Sequence, residues 1–99
     1  MPNTNDQQMD PTTAYTDLDP AQRATIAQAF IDRFSQYDDP GAREYARVDP
    51  HFVSPNQLVQ MHQYAADMHP EALADVMRQP DIASALGGFA AHEAQEHHP

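Results

Sequence analysis

The sequence predicts an all-α fold, a small bundle of four to five short helices preceded by a flexible N-terminal arm. Apolar residues recur at spacings of three and four along several segments, which is the period of amphipathic helices rather than of strands. Several of these segments have a proline at or just before their start, where a helix tolerates proline best. Abundant alanine adds helix propensity but little buried area, so we expect helices around a thin core.

Length and composition limit how stable a core the chain can build. Leucine, isoleucine, valine and phenylalanine make up only 15 of the 99 residues. A single domain of this size buries a smaller fraction of its surface than a large domain does, so its stability margin is narrow. We therefore expect a second copy of the chain or another protein to complete its apolar surface.

The charge of the chain is strongly negative. Fifteen carboxylates stand against five arginines, no lysine occurs, and the formal net charge is −10 at pH 7. Such a surface repels phosphate backbones and anionic lipids, which argues against direct nucleic-acid or membrane binding. It suits a basic partner, including a nucleic-acid-binding protein whose binding site an acidic surface would occupy in place of nucleic acid.

Residues 1–17 are assigned to the flexible polar arm, and residues 18–98 to one helical domain. The arm contains no basic segment and no apolar run, so it does not resemble a secretory signal, and no stretch has the length of a membrane span. The chain has no cysteine and therefore no disulfide. A cytoplasmic location is the expectation.

The first helix is predicted to begin at Pro20, with Asp19 as its cap and Gln22 completing a capping box. Its apolar stripe consists of Ile26, Ala27, Phe30, Ile31, Phe34 and Tyr37. The sequence Asp38-Asp39-Pro40-Gly41 ends it, because a residue before proline leaves the helical region. A short helix over residues 41–48 follows, and the extended link after it is expected to place Phe52 in the core.

Ser54 is predicted to cap the next helix, with Pro55 in its first position and Gln57 completing a second capping box. A further helix starts at Pro70 and ends before Pro80, and the last helix starts near Asp81. In the last helix the small residues Ala83, Gly87 and Ala91 are four apart. We consider close helix packing within the chain, a self-association face, and a helix break at residues 87–88 as explanations for its glycines.

The sequence-based candidates for an interaction surface come from the last three helices. They combine a heptad-like apolar seam with the small-residue series, and they are Leu58, Met61, Met68, Met77, Ala83, Gly87, Phe89 and Ala91. We expect His62, which flanks the seam, to be a rim or hydrogen-bonded core residue rather than a metal ligand.

The C-terminal histidines provide a metal-site hypothesis. His92 and Glu96 are four apart, as are Glu93 and His97, so each pair lies on one face of a helix and could chelate a divalent ion. The zinc-protease pattern is absent, because His92 and His97 are five apart. No catalytic residue and no cofactor are predicted, since the chain lacks cysteine, a nucleophile elbow around serine and a phosphate-binding loop.

The segment 70–86 resembles the short, proline-started helices of Asp-Pro-rich modules in co-chaperones and ubiquitin-shuttle proteins. It reads PEALADVMRQPDIASAL and carries leucine and methionine in the same manner. The resemblance implies a shared way of packing short helices. It covers seventeen residues and lacks the repeated Asp-Pro dipeptides of those modules, so we assign no binding residue from it.

From these observations we expect a non-enzymatic, acidic interaction module that associates with itself or with another protein through its C-terminal helices. The alternatives are an acidic surface that engages a basic partner or mimics nucleic acid, and a metal-responsive protein that uses its C-terminal histidines.

Overall fold

Seven α-helices and one 3-10 turn account for most of the chain that the structure describes. The structure is a computed structural model; it describes residues 11–96, with the side chains of residues 12–91 and of Glu93. The elements are α1 (Pro11–Thr16), α2 (Pro20–Phe34), α3 (Pro40–Ala46), the 3-10 turn (Pro50–Phe52), α4 (Pro55–Met68), α5 (Pro70–Arg78), α6 (Pro80–Leu86) and α7 (Gly88–Glu96). This confirms the all-α class. Within residues 11–96, every helix is too short or too polar to cross a membrane.

Prolines set the starts of the helices. The first six helices and the 3-10 turn each begin at a proline, whose missing N–H would have no partner in the first turn of a helix. Asp19 and Ser54 accept hydrogen bonds from the backbone N–H of Gln22 and Gln57, and those glutamines reach back to complete both predicted capping boxes. Asp39 caps α3 by accepting from the N–H of Ala42.

The number of helices exceeds the predicted four to five for two reasons, and the first is α1. It lies inside the stretch assigned to the flexible arm, and it packs on α4 with Tyr15 fully buried. A six-residue helix is too short to be stable alone, so its order comes from this burial. Leu18, just after it, is also buried.

The second reason is a break in the last helix at Gly87. This residue has φ of 59°, a conformation that glycine adopts readily and other residues rarely do. Its N–H closes α6 on the carbonyl of Ala83 at 2.7 Å, and α7 starts at the next residue. The break is one of the three explanations that the glycines left open. Ala83, Gly87 and Ala91 therefore do not form one continuous helix face.

Helix α2 lies at the centre of the bundle. It packs against α3, the 3-10 turn, α4, α5 and α6, and its buried face carries Ile26, Phe30 and Phe34. Arg23 on the same helix donates to two loop carbonyls, those of Leu18 at 3.1 Å and Val53 at 3.2 Å. The loops before α2 and before α4 are thereby attached to the central helix.

The prediction that Phe52 enters the core is wrong. Phe52 is 81% exposed, whereas the next residue, Val53, is 4% exposed and takes the core position. The link was predicted to be extended, but residues 50–52 form a 3-10 turn capped by Asp49. The turn changes which side chain faces inward, because its residues are spaced about three to a turn.

Candidate functional site

Two polar networks stand out among the described residues, and the first is buried. The hydroxyl of Tyr15 lies 2.8 Å from Nδ1 of His62, and Nε2 of His62 lies 2.9 Å from Oε1 of Glu93. A carboxylate only accepts hydrogen bonds, so Nε2 carries a hydrogen, and in the neutral imidazole Nδ1 then accepts from the tyrosine hydroxyl. The ring of Phe89 packs edge-on against Tyr15 and tilted against His62. This confirms His62 as a hydrogen-bonded core residue.

This hydroxyl–imidazole–carboxylate chain has the donor order of a hydrolase triad but not its accessibility. Tyr15 is fully buried and His62 is almost so. Burial raises the pKa of the Tyr15 hydroxyl well above its usual value, and the charge of Glu93 raises it further. A nucleophile needs a lowered pKa and access to substrate, so we assign this network to the packing of α1, α4 and α7.

The second network reaches the surface and is the candidate functional site. It comprises three of the four tyrosines, one histidine and three carboxylates, and we call it the tyrosine–carboxylate face: Tyr37, Tyr45, Tyr64, His69, Asp39, Glu44 and Glu71. The rings form a chain with centroid distances of 5.4 Å between Tyr45 and Tyr64, 5.9 Å between Tyr64 and His69, and 3.8 Å between His69 and Tyr37. The four rings are half-buried, and Glu44 and Glu71 are exposed.

Asp39 is the centre of this face. Its carboxylate caps α3, accepts a hydrogen bond from the hydroxyl of Tyr64, and lies 2.8 Å from Nε2 of His69. The hydrogen bond from Tyr64, together with those from the Ala42 N–H and His69, lowers the pKa of Asp39 from 3.8 to about 2. The group is therefore a fixed anion across the physiological range.

Glu71 supplies a second fixed anion. The Tyr37 hydroxyl donates to its Oε2 at 2.7 Å, and this bond lowers the pKa of Glu71. Nδ1 of His69 is 4.0 Å from the same oxygen, and the His69 ring stacks on Tyr37. His69 thus lies between two carboxylates, at the residue that separates α4 from α5.

Gly41 leaves the space that the Tyr64 ring occupies. A Cβ atom at residue 41 would lie about 2.5 Å from the far end of that ring. Any larger residue would push the ring away from Asp39. A glycine directly after a helix-starting proline is therefore explained by the close approach of α3 to Tyr64.

An open pocket of about 460 Å³ lies between α3 and α4 on this face, and its size falls within the range of ligand sites. It is lined by Gly41, Glu44, Tyr45, Val48 and Tyr64. The ring planes of Tyr45 and Tyr64 are inclined at 50°, and both rings rest on the buried ring of Phe34. An apolar floor of aromatic rings thus carries one carboxylate, that of Glu44, at its side.

The interaction residues predicted from the sequence divide between core and surface. Leu58, Met61, Met77 and Phe89 are buried in the chain's own core and cannot contact a partner in this conformation. The other four are accessible: Met68, Gly87 and Ala91 are exposed and Ala83 is half-buried. The helix that carries the apolar seam, α4, packs against α1 and α2 of the same chain. The spacing of apolar residues does not distinguish a helix face that packs within the chain from one that contacts a partner.

The predicted metal site lies outside the described part of the molecule. The side chains of His92 and Glu96, and the whole of His97, are not among the described residues. Among the side chains that are described, no three histidine or acidic groups are arranged to hold a metal ion. The metal hypothesis stays a prediction.

The tyrosine–carboxylate face is not among the sequence-based predictions, which place Tyr37 in the apolar stripe of α2 and assign no function to Tyr45 or Tyr64. The sequence does contain one signal for this face, because three tyrosines lie near helix ends in a chain that has few aromatic residues. The sequence pattern places Asp39 only in the turn that ends the first predicted helix. Its partners are 25 and 30 residues away along the chain, so no local pattern reveals them.

Comparisons with protein-family models, curated proteins and solved structures found no match to this chain. The resemblance of the segment 70–86 to Asp-Pro-rich modules stays a likeness in short-helix packing. Both halves of that segment are helical, and its apolar residues Leu73, Met77 and Ile82 point into the chain's own core.

Proposed function

We propose that the protein is a small acidic, non-enzymatic interaction module that binds a basic segment of another protein on its tyrosine–carboxylate face. The observation that carries the proposal is the open pocket between α3 and α4, with aromatic rings on its floor and the carboxylate of Glu44 at its side. Tyrosine is enriched at protein interfaces because its ring gives contact area and its hydroxyl stays solvated or hydrogen-bonded.

The charge of the whole chain supports a basic partner. A net charge of −10 creates a long-range field that attracts cationic segments and speeds their association. The two carboxylates with lowered pKa on the face, Asp39 and Glu71, keep their charge when the solution becomes mildly acidic. Arg43 on α3 and Arg47 directly after it oppose this field locally, but Arg43 is paired with Asp38.

The same carboxylates argue for binding rather than catalysis. A general acid or base works best with a pKa near the working pH, whereas the pKa values of Asp39 and Glu71 are shifted down, away from it. Tyr64 is shifted in the opposite direction, because its hydrogen bond to Asp39 raises its pKa. The groups of this face are thus held as permanent acceptors and donors.

Nuclear magnetic resonance titration tests the proposal directly. The ¹⁵N-labelled chain is titrated with the capped peptide (Arg-Gly)₄ and, as a control, with (Glu-Gly)₄. We expect the amide shifts caused by the arginine peptide to concentrate at Gly41, Tyr45, Val48 and Tyr64, and to decrease as salt is raised to about 0.3 M. No shifts with the basic peptide, or shifts spread evenly over all acidic helices, would contradict the proposal.

A second copy of the chain is the other candidate partner. Among the described side chains two large apolar ones are exposed, Phe52 at 81% and Met68 at 56%, and Met68 belongs to the predicted interaction set. Self-association must overcome the repulsion between two chains of charge −10, so it should strengthen with salt, unlike binding of a basic segment. Sedimentation velocity at low and high salt separates the two candidates.

A further inference from the structure

We propose that the pocket between α3 and α4 takes a single arginine side chain of the basic partner. The inference rests on the proposed function and specifies the chemistry that its central pocket recognises. It follows from the shape of the pocket, the pairing of its rings and the place of one carboxylate.

The two tyrosines form the surface on which a guanidinium group stacks. Tyr45 and Tyr64 both line the pocket, their centroids are 5.4 Å apart, and their planes open at 50°. A planar cation is attracted to the face of such a ring, and arginine makes this contact more often than lysine. Two inclined rings in one pocket can contact the guanidinium and the aliphatic stem of the same arginine side chain.

The rings are held in place before any partner arrives. The Tyr64 hydroxyl is fixed by Asp39, which is itself fixed as the cap of α3, and Gly41 allows the ring to lie against the backbone. Tyr45 packs on Phe34 with a centroid distance of 5.6 Å. A surface that needs no rearrangement loses less conformational entropy on binding.

Glu44 supplies the matching charge. It lines the pocket from α3 and is exposed, so its carboxylate can pair with a cation seated on the rings. A guanidinium offers a flat fork of N–H donors to a carboxylate while its face stays against an aromatic ring. A lysine ammonium is compact and strongly hydrated, so it would lose more solvation in an apolar pocket and stack poorly.

Peptides of equal charge test the preference for arginine. We expect (Arg-Gly)₄ to bind roughly two- to fivefold more tightly than (Lys-Gly)₄ by isothermal titration calorimetry, the size of an exposed cation–π contact. Because one side chain enters the pocket, a (Lys-Gly)₄ peptide with a single lysine changed to arginine should regain most of this difference. A single-arginine peptide that binds no better than (Lys-Gly)₄ would overturn the inference.

Variants of the chain locate the preference in the pocket. Tyr45→Leu should abolish the discrimination between arginine and lysine, while Tyr45→Phe, which keeps the ring, should preserve it. Glu44→Gln should weaken arginine-peptide binding by roughly two- to fivefold, as expected for an exposed ion pair. If Tyr45→Leu fails to fold, Glu44→Gln and the single-arginine peptide decide the question.

Asp81→Asn is the matched control for the loss of one charge. Asp81 lies beside Gln22 and Thr25 on α2, whereas Phe34, which supports the pocket, is nine residues beyond Thr25, roughly 13 Å along the helix axis. This variant should affect both peptides equally and only slightly. A loss of arginine-peptide binding equal to that of Glu44→Gln would assign the effect of Glu44 to the general field of the protein rather than to the pocket.

The outcomes separate this inference from the function on which it rests. If neither basic peptide binds at low salt, the proposed function fails and the inference fails with it. If both bind equally and Tyr45→Leu changes nothing, the basic-partner function stands and the arginine pocket is wrong.

Discussion

The hydroxyl of Tyr15 lies 2.8 Å from Nδ1 of His62, a hydrogen bond that joins residues 47 positions apart. It connects α1 to α4, and through His62 to Glu93 on α7, so the two ends of the described chain are held together by one imidazole. Because all three groups are buried, the bond is made in surroundings where an unmade hydrogen bond is costly.

Removing the Tyr15 side chain should destabilise the whole domain. Tyr15→Ala is expected to lower the free energy of unfolding by about 3–5 kcal/mol, the cost of deleting a buried aromatic ring. Tyr15→Phe keeps the ring but removes the hydrogen bond to His62, so it should cost about 1–3 kcal/mol. Urea denaturation followed by circular dichroism measures both. If residues 11–16 were a loose arm, neither variant would move the unfolding midpoint.

Gly87 should tolerate substitution poorly, because its positive φ is strained for any residue with a Cβ atom. Gly87→Ala is expected to lower the free energy of unfolding by about 1–3 kcal/mol. Gly88→Ala is the matched control, since residue 88 is the first residue of α7 and alanine favours helix. The changes in melting temperature of the two variants should therefore have opposite signs. Equal destabilisation would argue against the break at Gly87.

Asp39 should make the stability of the domain depend on acid pH. Its folded pKa of about 2 lies below the unfolded value of about 3.9, so the folded state favours the ionised form. The stabilisation is complete above about pH 4 and is lost as the pH falls toward 2. Glu71, whose pKa is lowered by Tyr37, acts in the same direction.

The Asp39→Asn variant isolates this effect, because asparagine also caps helices well. Urea midpoints measured from about pH 5 to about pH 2 should fall less steeply in Asp39→Asn than in the parent chain. Asp17→Asn, at an exposed position between α1 and α2, controls for the loss of one negative charge. Parallel pH profiles of the parent chain and Asp39→Asn would contradict the prediction.

Truncating the smaller side chain, Val53, should cost more free energy of unfolding than truncating the larger one, Phe52. Phe52→Ala is expected to change the free energy of unfolding by less than about 0.5 kcal/mol, because the ring is exposed. Val53→Ala removes two buried methyl equivalents and should cost about 2 kcal/mol. Chemical denaturation of the pair measures the order, and a larger loss from Phe52→Ala would show that its ring is buried in solution.

Local signals predicted most of the helix starts. The capping boxes at Asp19 and Ser54 depend on residues within three positions, so the sequence alone determines them. The apolar stripe of α2 was equally visible, because a helix repeats its faces at fixed spacing. The apolar spacing did not show that α2 ends at Phe34, three residues before Tyr37. Tyr37 lies beyond the helix, where its ring stacks on His69 and its hydroxyl donates to Glu71.

By itself, then, the sequence determined the all-α class, the acidic charge and the places where helices begin, because each follows from composition or from neighbours along the chain. Only the tertiary structure decided that α1 belongs to the fold, that Leu58 and Met61 of the apolar seam are buried within the chain, and that Tyr64 meets Asp39. Those features depend on pairs such as Tyr15 with His62 and Tyr64 with Asp39, which are 47 and 25 residues apart. Their contacts exist only after the helices have packed, so no spacing rule along the chain can predict them.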